Sequence, residues 1–205
     1  MYELLQRMGS AVCHRLAERS FILEEMQMPL CARCTGIYIG AFFAFCFFVW
    51  KNRVQAGKPF SVAQAILTGL AIVPVGVDGV GSYLGFWESS QLMRILTGTL
   101  VGAIVPGFLL MAGNFDPKVE NEELIYKSTK ELLILIMISI AFGFCLWIGL
   151  PLYRIGAVIS VAGEIILWGS TVWLLLKTVL KGKNMWIVSM LTAFCVLFVI
   201  GGLVP

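Results

Sequence analysis

The chain has 205 residues, 59% of them hydrophobic and 13% charged, with a mean hydropathy of +0.90 and a formal net charge of +3. A soluble domain carries about 25% charged residues, so this composition excludes a disordered chain, a coiled coil and a nucleic-acid module. It also argues against a soluble enzyme, because too few polar residues exist to coat a globule.

Taken in chain order, residues 1–30 come first. Leu5, Met8, Val12 and Leu16 recur there at helical spacing, which predicts a short amphipathic helix, either lying on a membrane surface or packed on the rest of the chain. This stretch has neither the apolar run nor the small-residue cleavage pattern of a signal peptide, and none is expected.

Six segments follow that meet the requirement of about 20 mostly apolar residues for a membrane span. They are Leu30 to Trp50, Val62 to Leu84, Leu92 to Ala112, Leu132 to Leu150, Tyr153 to Leu176 and Met185 to Val204. Spanning backbone must satisfy its own hydrogen bonds, and the alternation of barrel strands is absent, so these segments are helices. The expected fold is all-α: a polytopic membrane protein with a six-helix transmembrane bundle over 31–205. An amino-terminal interfacial segment, 1–30, carries Cys13 and His14. Pro74 and the glycine-rich run from Val75 to Gly81 are expected to break the second span, as in transporters that bind cargo at interrupted helices. The stretch from Asn114 to Glu131 reads as a solvated connector.

Basic residues set orientation. Lys51, Arg53 and Lys58 follow span one, Lys118, Lys127 and Lys130 follow span three, and Lys177, Lys181 and Lys183 follow span five. These alternate loops are expected in the cytoplasm. Arg7, Arg15, Arg19, Arg33, Arg94 and Arg154 fall on the other side, so both termini are expected to be non-cytoplasmic in a multi-pass cell-membrane protein.

Six cysteines are present. Cys46, Cys145 and Cys195 lie within spans and read as small buried hydrophobes. Cys13, His14 (the only histidine), Cys31 and Cys34 are different. Three thiolates and an imidazole within 22 residues, on one side of the membrane, match a tetrahedral site for one transition-metal ion, zinc first and iron second. Adjacent helical residues point about 100° apart, so Cys13 and His14 share an ion only if the first helix ends before them. The rival reading is redox: Arg33 and a helix amino-terminus would activate the C-x-x-C thiols.

Ionisable residues inside spans are costly and usually functional. Asp78 and Arg94 lie in the outer parts of adjacent spans and are expected to form an ion pair. Glu164 is the deepest acid and needs a partner, a proton or a water-filled cavity. Equal depth suggests that Asp78, Arg94 and Glu164 line one outward pocket capped by the cysteine segment.

The strings Cys13-His14-Arg15, Glu18-Arg19-Ser20-Phe21 and Pro29-Leu30-Cys31-Ala32-Arg33-Cys34-Thr35-Gly36-Ile37-Tyr38 resemble the signature of a family of uncharacterised prokaryotic membrane proteins, domain of unknown function 2085. Asp78-Gly79 and Arg94-x-x-Thr97-Gly98 are similar to its second motif block. The resemblance covers residues 13 to about 102; Ala17 departs from the proline frequent there. It implies a small helical membrane protein with a cysteine–histidine motif and supplies no activity.

The residues therefore point first to a membrane binding or transport protein, whose metal site caps a polar pocket and whose partners are the lipid bilayer and a small-molecule or lipid ligand. A membrane metalloenzyme acting on an apolar or lipid substrate is the second reading, with Asp78 or Glu164 as general base. A C-x-x-C thiol–disulfide oxidoreductase is the third.

Overall fold

A computed structural model of the chain describes residues 2–180 and 185–203. Its six long apolar helices are α2 (Ala32–Trp50), α3 (Val62–Tyr83), α4 (Gln91–Asn114), α5 (Thr129–Trp147), α6 (Tyr153–Leu180) and α7 (Trp186–Leu203), each long and apolar enough to cross a membrane. They begin where capping residues allow. Ser61 accepts from the Gln64 amide in a reciprocal capping box, and Ser90 accepts from the Met93 amide.

The amino-terminal segment is more elaborate than one amphipathic helix. Helix α1 (Tyr2–Ser10) buries Leu5 and Met8 against the bundle, but it ends at Gly9-Ser10, two poor helix formers, so Val12 and Leu16 lie beyond it. A single 3-10 turn at Ala17–Arg19 then leads into a hairpin of β1 (Ser20–Leu23) and β2 (Met26–Cys31). Leu23 pairs with Met26, and the connecting Glu24 and Glu25 both take positive φ, 53° and 62°. Such two-residue turns normally recruit asparagine and glycine. The Glu-Glu turn and Pro29 inside β2 hide this hairpin from sequence reading.

The hairpin lies across one end of the bundle. Gln91 Nε2 donates to the Ser20 carbonyl (3.2 Å), the Tyr153 amide donates to Glu24 Oε1 (3.2 Å), and Ser10 Oγ donates to the Gly201 carbonyl (3.1 Å). The starts of α2, α4 and α6 and the end of α7 therefore share this end with the amino-terminal segment. The opposite end collects the basic loops. Arg53 is paired with Glu131 (2.6 Å), the Lys58 amide donates to the Glu123 carbonyl, and Lys177 Nζ donates to Asn114 Oδ1. Lys181, Lys183 and Val204 lie outside the described residues.

Helices α2 and α4 are in backbone contact. A Cβ on Gly36 or Gly40 would strike the α4 backbone at Ile95 and Ala103, and one on Gly98 or Gly102 would strike the carbonyls of Arg33 and Ile37. Reciprocal small-x-x-x-small faces are how helices associate in lipid, where apolar surface gives no hydrophobic drive between them. A Cβ on Gly163 would likewise strike the Tyr38 carbonyl, which brings α6 against the other side of α2.

Three expectations are corrected. Helix α3 runs unbroken through Pro74 and residues 75–81; a lipid-exposed helix tolerates proline where local adjustment satisfies the freed carbonyl. The 114–131 loop is no mere solvated connector: Ile125 and Tyr126 are fully buried, and the Tyr126 hydroxyl donates to the Ala103 carbonyl (3.2 Å). Burial pushes the Tyr126 hydroxyl pKa up. Cys46 and Cys195 are exposed on the outside of the bundle and Cys145 is half-buried; in a membrane an apolar thiol needs no protein cover.

Candidate metal centre and the cavity beside it

Three pieces of chain deliver the sulfurs. Cys13 follows the end of α1, where the chain is irregular. Cys31 ends β2 and is also the N-cap of α2, with extended backbone (φ −66°, ψ 160°). Cys34 lies in the first turn of α2, so β2 and α2 together convert the C-x-x-C spacing into a bend presenting both thiols to Cys13. The three Sγ atoms all lie within 4.8 Å of one another, and the Cys31 amide donates to Cys13 Sγ (3.3 Å). Tetrahedral zinc with Zn–S of about 2.3 Å spaces sulfurs by about 3.8 Å, so a small inward movement suffices. Leu30, Ile37, Tyr38 and Leu167 form an apolar backing.

His14 is exposed and stands outside the sulfur group, although it lines the same cavity. The helix-geometry objection disappears because α1 stops at Ser10, yet an irregular chain that turns Cys13 inward here turns its neighbour outward. The thiols of Cys13 and Cys34 hydrogen-bond to Cys31 and pull it well below the ordinary thiol range. Cys13 is raised, first by its hydrogen bond with Cys31. A helix amino-terminus behind Cys31 also favours its thiolate.

Asp78 is ion-paired with Arg33, the residue between the two C-x-x-C thiols, and the expected Asp78–Arg94 pair is thereby replaced. The backbone contact of Arg33 with Gly98 sets its long side chain beside α4, from where it reaches Asp78 of α3. Side chains lean toward the amino-terminus of their helix. Arg94, at the start of α4, accordingly turns back to its own connection, where Nε donates to the Ser89 carbonyl (3.1 Å).

The expectation of one pocket lined by all three charged residues is also corrected. A cavity of about 430 Å³ opens beside the cysteines, lined by Cys13, Cys31, Cys34, His14, Arg33 and Arg94 among others. Asp78 and Glu164 are absent from its lining. Asp78 is held behind Arg33, and Glu164 is fully buried in α6 with neither carboxyl oxygen hydrogen-bonded. Tyr38, one turn after Cys34, stands between the cysteines and α6 and accepts from Trp168 Nε1 (3.3 Å). Sequence reading gave no site role to Tyr38, Trp168 or Arg19, although Tyr38 and Arg19 both stand in the strings that resemble the family signature.

Known proteins resemble this chain in sequence. Residues 13–108 match the family model for the predicted membrane protein family DUF2085. An uncharacterized protein of Methanothermobacter thermautotrophicus is 34% identical over 91 residues, 44% of this chain and 78% of that protein. An uncharacterized protein of Methanocaldococcus jannaschii is 30% identical over 101 residues, 49% of this chain and 63% of that protein. The chain belongs to the DUF2085 family of membrane proteins. No solved structure matches it.

Proposed function

We propose that this chain is an integral membrane binding or transport protein in which one zinc-type ion moors the amino-terminal segment over a polar cavity at the non-cytoplasmic end of the bundle. The observation that carries this reading is the convergence of three sulfurs from separately positioned pieces of chain. A soft three-thiolate donor set favours zinc, with iron next. His14, on the rim of the same cavity, is the candidate fourth ligand. Arg94 faces the cargo, Asp78 holds Arg33 in place, and Glu164 is the candidate proton carrier deeper in the membrane. The orientation rests on the loop lysines and is checked by reporter fusions at the carboxyl terminus, active only outside the cytoplasm if it is right.

A membrane metalloenzyme is the second reading. The exposure of His14 favours it, because an ion held by three thiolates keeps a position for water or substrate. Elemental analysis of the purified protein with single alanine variants separates the two. One ion per chain, lost in the Cys13, Cys31, Cys34 and His14 variants alike, supports a closed structural clasp. Loss in the cysteine variants alone supports the open, catalytic site. No metal and a Cys31–Cys34 disulfide refutes both and indicates a thiol oxidoreductase.

A further inference from the structure

We infer that the cavity beside the cysteines binds an oxyanion of the phosphate class, held by the guanidiniums of Arg94 and Arg19. Four arginines line this cavity and no carboxylate does. Two of the four are occupied elsewhere: Arg33 by Asp78, and Arg15 by Gln6, whose Oε1 and carbonyl accept from its Nη1. Arg94 spends only Nε, and Arg19 has no side-chain partner among the described residues.

Arg94 is 7% exposed, so its charge is largely withdrawn from water; Asp78 acts on it through space, but among the described residues no carboxylate lies within ion-pair distance of it. A buried unpaired cation is costly, and an anion in the adjoining space is the economical remedy. With the proposed metal in place, the charge count agrees. Three thiolates on a divalent ion leave one negative charge and Asp78 adds a second, while the four cavity arginines, Arg15 included because Gln6 is neutral, exceed them by two. Arg33 Nε, on a residue that lines the cavity, is a further buried donor without a protein partner.

The location narrows the site and the ligand. A second cavity of about 460 Å³ shares Arg19 and Arg94, but Glu18 and Glu88 line it too, so the anion belongs on the cysteine side. Paired guanidiniums suit a tetrahedral oxyanion through parallel N–H···O bonds. Arg94 lies in the first turn of a spanning helix, the level of lipid headgroups, so the phosphate comes either from a lipid or from solution.

The test uses full-length protein in detergent, with metal content measured on each sample. Inorganic phosphate is titrated by calorimetry, and vesicles of phosphatidylcholine with or without phosphatidic acid are offered in parallel. Binding of either phosphate source is expected, weakened about tenfold or more in Arg94→Gln and less in Arg19→Ala, since each charge-assisted hydrogen bond lost costs about that much. Preference for phosphatidic acid assigns a headgroup and preference for inorganic phosphate assigns a solute. Binding of neither, or binding unchanged in both variants, overturns the inference even when one metal ion per chain is found. Arginine-dependent binding in protein without metal upholds it while refuting the metal reading. Should Arg94→Gln fail to fold, the exposed Arg19→Ala decides.

Discussion

Arg33, flanked by two thiols of the cysteine cluster, is ion-paired with Asp78 of the second spanning helix. The C-x-x-C bend is thus tied to α3, a helix that otherwise packs chiefly on α4. The same pair balances the charge of one cavity arginine and leaves Arg94 to face the open space.

Removing Asp78 should strand a partly buried guanidinium and cost roughly 2–3 kcal/mol. In detergent melting, Asp78→Ala and Arg33→Ala combined should be clearly less damaging than the sum of the two. The corresponding cycle with Arg94→Ala should show a smaller coupling than the Arg33 cycle, because Arg94 acts on Asp78 only through space. Strong coupling of Asp78 to Arg94 and none to Arg33 would contradict the geometry described.

In metal-stripped protein, Cys31 should be the thiol alkylated fastest by iodoacetamide. Its lowered pKa means that thiolate persists as pH falls below the ordinary thiol value of about 8.5, whereas raised Cys13 should need more alkaline conditions. Mass-spectrometric mapping across pH 6–9 (a range chosen around the free-thiol pKa, about 8.5) checks the order. Alkylation of Cys13 as fast as that of Cys31 would refute it.

Gly102→Ala would drive a methyl group into the Ile37 carbonyl and should cost about 1–3 kcal/mol by forcing α2 and α4 apart. Gly76→Ala meets open space and should be within about 0.5 kcal/mol of wild type. The two melting temperatures measured side by side test whether the glycine seam holds the bundle.

Glu164 is buried with no protein hydrogen bond, so Glu164→Leu should leave stability unchanged or raise it by about 1–2 kcal/mol. A marked loss of stability would reveal a partner for the carboxyl group. Gain of stability with loss of transport or binding would mark it as a functional acid.

Arg33 shows why the site was only partly legible. Cys13, Cys31 and Cys34 were readable because metal-type ligands lie close along the chain and stand out against an apolar background. Asp78 and Arg94 looked paired because their spans are consecutive and their depths equal. What decided the matter was the direction in which each side chain leaves its helix, together with a backbone contact at Gly98 that brings Arg33 within reach. His14 was inseparable from Cys13 by spacing, and only the path of the chain after Ser10 turned it outward.

Hydropathy by itself determined the six spans, whose ends agree with α2–α7 to within a few residues, because lipid demands long apolar helices whatever they pack against. The alternation of those spans likewise determined which loops share an end. Tertiary structure alone decided the hairpin, the glycine seam between α2 and α4, the partner of Asp78 and the separation of Glu164 from the outer cavity. Each of these depends on which helix faces meet, and in a uniformly apolar sequence the faces carry little contrast until packing selects among them.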